Sequence, residues 1–301
     1  MSVVEARPIH CLSFDVEEHF QVSAFWSEAR RQQWDKYESR VENNTRKLVE
    51  LLATHDTKAT FFILGWVAER YPGLVKALVK EGHEIASHGY GHELVTTQSP
   101  EQFRQDVRRA KSILEDLIGS PVLGYRAPSF SITAESRWAL SILIEEGYRY
   151  DSSMYDRFKR SENTKGGKGI VRINTAMGTI WEVSPSTLSV WGFQVPVAGG
   201  GYFRLFPYAT SKTLLQMLEK QGANLVMYLH PWEIDPEQPR HGLASWKSRF
   251  RHYCNLDRTE PRLRRLLRDF TWTRMDRLFL SAKPPPYPVV TSWTDRKPVA
   301  P

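Results

Sequence analysis

Two carboxylates and an imidazole alternate at the end of a strand-like segment near the N-terminus. Residues 13–19 read SFDVEEH, and strand alternation would place Asp15, Glu17 and His19 on one face. Such a set can bind a divalent metal ion or transfer protons. A solvated strand end with no chemical role is the alternative interpretation of this segment.

A pair of histidines four residues apart, His88 and His92, follows a second short apolar segment. If this stretch forms one helical turn, both rings can present a nitrogen to one metal ion, and neutral imidazole is a common zinc ligand. Gly89 and Gly91 permit a tight turn. Such a pair can also be incidental, but its place directly after a strand favours a metal site. His83 has no partner of this kind and is predicted to be structural.

Two further strand-like segments end in side chains that can assist hydrolysis. Arg126 lies in residues 125–130 (YRAPSF), and inside a cleft it would need a carboxylate partner, whose pKa it would lower. On the surface the same arginine would carry no function. His230 ends a late segment, residues 228–232 (YLHPW), where it can be a core histidine or a general acid.

Strand-like and helix-like segments alternate along most of the chain, and this order predicts how the four strand ends are positioned. Strands are predicted at residues 9–15, 58–64, 84–87, 122–126 and 224–229. The sharpest helix signal is the capping box at residues 99–102, with Pro100 at the first helical position and a stop at Gly119. Repeated strand–helix units predict a mainly parallel sheet or barrel with its chemistry at the C-terminal ends of the strands.

Composition sets the class of protein. The chain has 301 residues, 41% of them hydrophobic, which suits one α/β domain of barrel size and excludes a disordered or fibrous chain. No run of about 18 apolar residues is present, so no membrane span is predicted. The first ten residues lack the apolar stretch of a signal peptide, and Cys11 and Cys254 indicate no disulfide framework. These features predict a cytoplasmic protein.

Positive charge is concentrated in one region. Residues 240–277 contain 11 Lys or Arg and 4 acidic residues, which accounts for the whole formal net charge of +7. Pro261 is predicted to open a helix there, with the apolar residues between 263 and 270 on one side. The arginines can simply be solvated, or they can attract anionic lipid headgroups or carrier phosphates. Only the charge would favour a nucleic-acid role, and no nucleic-acid partner is predicted.

Taken together, the four strand ends resemble, in order and spacing, the polysaccharide deacetylases with a NodB-type domain (carbohydrate esterase family 4). The resemblance covers roughly residues 9–232. Residues 199–204 (GGGYFR), 230–235 (HPWEID) and 251–253 (RHY) resemble a subgroup with a C-terminal extension that occurs with bacterial exopolysaccharide and exosortase systems. The resemblance implies an α/β fold, a distorted (β/α) barrel. It implies a deacetylase domain over residues 8–235, a basic, partly helical extension over 236–285 that packs on it, and an extended tail over 286–301.

The resemblance also implies a role for each site residue. His88 and His92 would be metal ligands, Asp15 the general base, and Arg126 the residue that keeps Asp15 ionised. His230 would be the general acid, and Asp151 would orient it.

The third metal ligand departs from the family's commonest pattern, in which a second aspartate binds the metal. That position is Val16 here, and valine cannot be a ligand. Glu17 is the predicted substitute because it shares a strand face with Asp15, and Glu18 or His19 are the alternatives. Two histidines and a carboxylate favour zinc, although cobalt, nickel or manganese also suit this set.

The implied activity is metal-dependent removal of N-acetyl groups from the amino sugars of a bacterial exopolysaccharide or its lipid-linked precursor. Sugars bind to aromatic faces and hydrogen-bonding groups. The predicted substrate-binding residues are Ser129, Tyr90, Trp191, Tyr202 and Trp232. Two other functions stay open: hydrolysis of a small non-peptide amide, and an inactive, carbohydrate-binding relative.

Overall fold

One mainly parallel sheet dominates the computed structural model, which describes residues 8–22, 25, 31–154, 169–190, 193–240, 246–280 and 289–290. The strands are β1 Ile9–Val16, β2 Thr60–Ile63, β3 Glu84–Ser87, β4 Gly124–Tyr125, β5 Tyr150–Asp151, β6 Ile170–Thr175, β7 Gly178–Val183, β8 Thr187–Val190, β9 Phe193–Pro196, β10 Val226–Leu229, β11 Thr271–Thr273 and β12 Val289–Val290. The helices are α1 Val41–Ala53, α2 Gly65–Arg70, α3 Pro72–Lys80, α4 Pro100–Ile118, α5 Trp138–Glu145, α6 Gly200–Leu205, α7 Tyr208–Lys220, α8 Trp246–Tyr253, α9 Leu256–Asp269 and α10 Met275–Phe279.

The strand order places the predicted strand ends side by side. The main sheet runs β10-β1-β2-β3-β4-β5-β7-β6-β12, and β11 pairs with the beginning of β1. From β10 to β7 every neighbouring pair is parallel. The carboxyl ends of these strands therefore meet at one edge of the sheet, where parallel α/β folds carry their chemistry. The predicted sheet agrees with the structure, and the five predicted strands correspond to β1, β2, β3, β4 and β10.

The segment after β7 hydrogen-bonds to β10, which lies at the opposite side of the run of parallel strands, and the sheet is therefore curled. Ser186 N–H donates to Val226 O at 3.1 Å, and Tyr228 N–H donates to Ala198 O at 3.0 Å. These bonds connect the region between β7 and α6 with β10. The result is a distorted barrel rather than an open, flat sheet.

Helix α4 shows how local sequence fixes an element that supports the site. The Ser99 hydroxyl accepts from Gln102 N–H, and the Gln102 side chain accepts from Ser99 N–H, which closes the predicted capping box. Gly119 ends the helix with φ +67, a conformation that glycine adopts without steric cost. The buried face of α4 packs onto the sheet through Phe103, Val107, Ala110 and Leu114.

The C-terminal region, residues 246–280, contributes a strand to the main sheet, since Ile9 of β1 pairs with Thr271 of β11. Helix α9 buries Leu263, Leu266 and Leu267, as the sequence predicts. The predicted start at Pro261 is wrong. The helix begins at Leu256 and Pro261 lies inside it as its sixth residue, where the missing N–H leaves the carbonyl of Asp257 without its usual helical partner.

The division at residues 235 and 285 stays a prediction, and of the predicted tail only β12 falls within the described residues. Among the helices that the structure describes, none has the length and apolar character needed to cross a bilayer. The cytoplasmic location also stays a prediction.

Candidate active site

Asp15 and Arg126 form a buried ion pair at the carboxyl edge of the sheet. Arg126 Nη1 donates to Asp15 Oδ1 at 2.6 Å and to Ser13 Oγ at 3.0 Å. Its Nη2 donates to Ser152 Oγ at 2.8 Å, and the guanidinium lies 4.1 Å from the ring centroid of Phe62. Both charged side chains are almost fully buried, so each depends on the other for compensation.

Glu17, His88 and His92 converge next to this pair. Each offers one ligand atom, and the three atoms lie within 4.8 Å of one another. His92 Nε2 is 2.6 Å from Glu17 Oε2, and His88 Nε2 is 3.9 Å from the same oxygen. Although burial opposes ionisation, His92, His230 and His88 hold the pKa of Glu17 at about 2. The site therefore presents a carboxylate to two imidazoles.

The tautomer of His88 suits metal binding. Its Nδ1 lies 2.7 Å from the carbonyl oxygen of Arg126, which can only accept, so Nδ1 carries the proton. Burial lowers the pKa of His88 to about 4 and keeps the ring neutral, so that Nε2 has a free lone pair facing Glu17. A backbone carbonyl behind a metal-binding histidine is the usual arrangement in proteins.

The two histidines do not share a helical turn, which corrects the sequence prediction. The segment from His88 to His92 is a loop in which Gly89 has φ +74 and His92 has φ +53. Asp106 of α4 holds this loop by accepting from Tyr90 N–H at 2.9 Å and Gly91 N–H at 3.3 Å. A Cβ at Gly89 would lie 2.7 Å from the Asp106 carboxylate, so glycine is required for this approach.

The donor set fits a divalent ion such as zinc. Ligand atoms about 2.1 Å from one ion in tetrahedral geometry are separated by roughly 3.4 Å, between the two separations seen around Glu17. The alternative ligands are engaged elsewhere. Glu18 accepts from Arg40 N–H and Val41 N–H at the start of α1, and His19 Nε2 lies 3.1 Å from Glu38 O.

His230 lies near the oxygens of Asp15 and Glu17 that do not face Arg126 and His92. Its Nε2 is 3.6 Å from Glu17 Oε1 and 3.9 Å from Asp15 Oδ2, and 19% of its side chain is exposed. Burial lowers the pKa of His230, but its hydrogen bond to Glu233 and the charge of Glu17 together raise it to about 9. This ring can therefore carry a proton beside the two carboxylates.

Asp151 does not orient His230, which corrects the role implied by the resemblance. Nδ1 of His230 lies 2.6 Å from Glu233 instead. Asp151 accepts from Ser153 Oγ and lies opposite Glu182 in the register of β5 and β7. Burial raises the pKa of both carboxyl groups, so one of them holds a proton. Glu233 takes the place of Asp151 beside His230 because it lies only three residues later, in the short turn after β10.

Trp232 is an interior residue, which corrects its prediction as a sugar-binding surface. It is 6% exposed, stacks on His230 at 5.0 Å between ring centroids, and donates from Nε1 to Glu17 Oε1 at 3.3 Å. Tyr90 is half-buried, with the Arg109 guanidinium 3.4 Å over its ring.

The remaining predicted substrate contacts divide by exposure. Ser129 is exposed and follows Pro128 with φ +52, and Tyr202 is 39% exposed at the surface of α6. Trp191 lies outside the described residues. The roles of Ser129, Tyr90 and Tyr202 in binding substrate stay predictions.

Sequence reasoning missed three residues that shape the site, namely Asp106, Arg204 and Glu233. Arg204 donates from Nε to Glu233 Oε2 at 2.7 Å, and both side chains are buried. A signal was present for two of them, because Arg204 and Glu233 lie in the GGGYFR and HPWEID segments. Asp106 gave no signal beyond a polar residue beside the buried face of α4.

Comparison with known proteins identifies the domain. Residues 33–149 match a family model described as polysaccharide deacetylase, and residues 159–280 match one described as a domain of unknown function (DUF3473). An uncharacterized 30.6 kDa protein of Geobacillus stearothermophilus is 33% identical over 114 residues, which cover 38% of this chain and 42% of that protein. A peptidoglycan-N-acetylglucosamine deacetylase of Bacillus cereus is 34% identical over 96 residues, which cover 32% of this chain and 35% of that protein.

The fold has a solved counterpart. A candidate polysaccharide deacetylase from Mycobacterium smegmatis superposes with a TM-score of 0.60 at 18% identity, covering 92% of this chain and 91% of that one. The match to curated relatives spans less than half the length of each of the two proteins named above. The subgroup linked to exosortase systems stays a prediction. The chain contains a polysaccharide deacetylase domain, matched over residues 33–149, and its fold is the NodB-type fold of carbohydrate esterase family 4.

Proposed function

We propose that this chain is a metal-dependent hydrolase that removes N-acetyl groups from the amino sugars of a polysaccharide. The observation that carries the proposal is the convergence of a carboxylate–histidine–histidine group, a buried Asp15–Arg126 pair and a chargeable His230 at one edge of the sheet. Curated relatives are named peptidoglycan-N-acetylglucosamine deacetylases, which supports an acetylated amino sugar as the substrate class.

Glu17, His88 and His92 would hold the metal ion, zinc in the first instance and otherwise cobalt, nickel or manganese. A divalent ion bound there supplies a Lewis acid that polarises the acetyl carbonyl and lowers the pKa of water. Trp232 supports this site from behind, since its Nε1–H donates to Glu17 and fixes the carboxylate.

The protein's own residues supply the proton transfers. Asp15, held by Arg126, accepts the proton of the attacking water, and the new C–O bond forms at the acetyl carbon. His230 then gives its proton to the amide nitrogen as the C–N bond breaks, releasing acetate and a free amine. General acid–base groups in such positions contribute roughly 10²- to 10⁴-fold each to the rate. Glu17 Oε1 lies within 3.6 Å of His230 Nε2, so both transfers occur beside the ligand set.

The direct test is acetate release from oligomers of N-acetylglucosamine, measured before and after chelation and again after zinc is restored. We expect activity that chelation abolishes and zinc recovers, and His230→Ala should bind metal normally yet lose turnover. Small linear amides and cyclic ureides serve as competing substrates. Faster turnover of those compounds, or full activity in His230→Ala, would refute the proposal.

We also propose that the substrate is an exopolysaccharide precursor met at an anionic membrane surface. Helix α8 supports the membrane contact, because Trp246 is 74% exposed and Phe250 is 57% exposed on a helix that also carries three Lys or Arg residues and no acidic one. Exposed aromatic side chains beside basic ones suit the interface between lipid headgroups and acyl chains. A peripheral contact of this kind needs no membrane span.

A further inference from the structure

Both carboxylate oxygens of Glu233 have hydrogen-bonding partners. Oε1 lies 2.6 Å from His230 Nδ1 and accepts from the His230 backbone N–H at 3.0 Å. Oε2 accepts from Arg204 Nε at 2.7 Å. Glu233 is fully buried, and although burial raises its pKa, Arg204 and His230 lower it overall. A charged carboxylate thus joins the imidazole to a buried guanidinium.

The carboxylate of Glu233 lies close to the backbone of helix α6 at Gly200. A Cβ at Gly200 would lie 2.0 Å from Glu233 Oε1, so any other residue there would displace the carboxylate. At Gly201, by contrast, a Cβ would meet no atom of the described residues within 4 Å. The glycine at 200 is therefore a requirement of the Glu233 contact and not of the helix itself.

The C-terminal region fixes the other side of Arg204. Nη1 donates to His252 O at 2.8 Å and Cys254 O at 3.0 Å, and Nη2 donates to Arg251 O at 2.9 Å. The carbonyl oxygen of Arg204 in turn accepts from the side chain of Asn255 at 2.8 Å. With four hydrogen bonds, the guanidinium can only take one orientation.

The same region also limits the imidazole ring. The rings of His252 and Trp232 stack at 4.2 Å between centroids with an interplanar angle of 17°, and Trp232 stacks on His230. His252 Nε2 lies 2.8 Å from Gln238 Oε1, which holds the outer ring of this stack. The face of His230 and its Nδ1 edge are therefore both set by contacts that depend on residues 251–254.

We propose that Glu233 is the positioning residue for His230. Glu233 is held by Arg204, which is held in turn by the backbone carbonyls of Arg251, His252 and Cys254. The C-terminal region is then part of the catalytic centre and not an appendage to it. This inference rests on the proposed deacetylase function for its kinetic consequence, while the orientation of the ring is a property of the protein alone.

The kinetic test uses Glu233→Gln. Glutamine has one acceptor oxygen, so it can satisfy His230 or Arg204 but not both. The substrates are an N-acetylglucosamine oligomer, whose amine needs a proton to leave, and 4-nitrophenyl acetate, whose phenolate leaves without one. We expect kcat on the oligomer to fall about 10-fold or more with little change in KM, and the ester to be hydrolysed at nearly the original rate.

Asp235→Asn is the matched control, because Asp235 is a buried carboxylate two residues away that contacts Asn44 instead of His230. It should leave both activities nearly unchanged. In the His230→Ala background, Glu233→Gln should cause no further loss of kcat on the oligomer. Equal losses on the two substrates, no loss on either, or additive losses in the double variant would overturn the proposal.

A second measurement needs no turnover. Proton–nitrogen correlation spectra of the imidazoles, recorded at one pH, report the Nδ1–H of His230, which His230→Ala identifies. We expect that signal to shift or exchange in both Glu233→Gln and Arg204→Lys, and to remain in Asp235→Asn. An unchanged signal in Glu233→Gln would overturn the inference even in an active enzyme. If the wild type hydrolyses neither substrate, the proposed function fails while the spectra still decide the orientation.

Discussion

Replacing Glu17 with glutamine should remove most of the metal affinity of this protein. Glu17 is the one acidic side chain in the ligand group, and it is 2% exposed, so no nearby solvent compensates its loss. The change keeps the size of the side chain and removes its charge. Loss of a supporting hydrogen bond at a metal site alone costs 10- to 100-fold in affinity, so loss of the anionic ligand should cost at least about 100-fold.

The expected thermal signature follows from linkage. With zinc at about 100 times its Kd, the wild type gains roughly 2.7 kcal/mol of unfolding free energy. For a domain of this size, about 2 °C of Tm per kcal/mol gives a shift of roughly 5 °C. At the same zinc concentration, a 100-fold weaker variant binds at about its own Kd and gains only about 0.4 kcal/mol, a shift below about 1 °C.

Thermal melting of chelator-treated protein, with and without added zinc, measures both shifts. Glu18→Gln is the matched control, since Glu18 is equally buried but accepts hydrogen bonds at the start of α1. It should lower the Tm through the lost helix cap, and zinc should still raise its Tm by the same amount as in the wild type. An equal zinc-induced shift in Glu17→Gln and the wild type would remove Glu17 from the ligand set.

The remaining predictions concern stability and membrane contact. Arg126→Met should lower the unfolding free energy in urea by about 3–5 kcal/mol because it leaves Asp15 buried and unpaired, and adding Asp15→Asn should recover part of it. A loss below about 1 kcal/mol would contradict this. Burial lowers the pKa of His83 to about 4, so unfolding takes up a proton and acidification from pH 7 to 4 should cost up to about 3 kcal/mol, a slope that His83→Gln should reduce. An identical pH profile in that variant would exclude His83. Trp246→Ser should reduce flotation with anionic liposomes at low salt, and a wild type that stays in the soluble fraction would show that the basic region is only solvated.

The sheet and the convergence of its strand ends could be predicted because each depends on local sequence. Apolar runs gave the strands, and the capping box at residue 99 gave the helix that supports the histidine loop. Since parallel strands end at one edge, side chains that follow β1, β3, β4 and β10 had to meet there. The sequence did not predict which of these side chains contact one another.

The errors share a physical cause, because each depends on a partner distant in sequence or on a backbone turn. The loop between His88 and His92 is held by Asp106, and a four-residue spacing alone reads as a helical turn. The assignment of Asp151 to His230 overlooked Glu233, whose approach depends on Gly200. Hydropathy could not show that Trp232 would be enclosed by a histidine from α8.

The departure at Val16 has a geometric resolution. Val16 is fully buried and pairs with Ile63, so its side chain belongs to the core. After it the chain turns, and Glu17 N–H donates back to Asp15 O at 3.1 Å, which keeps Glu17 on the side of the sheet where Asp15 lies. Glutamate has one methylene more than aspartate, and this extra reach brings its carboxylate 2.6 Å from His92 Nε2. A longer acid one residue later can thus offer the ligand that a second aspartate would have supplied, so the valine by itself does not argue for an inactive relative.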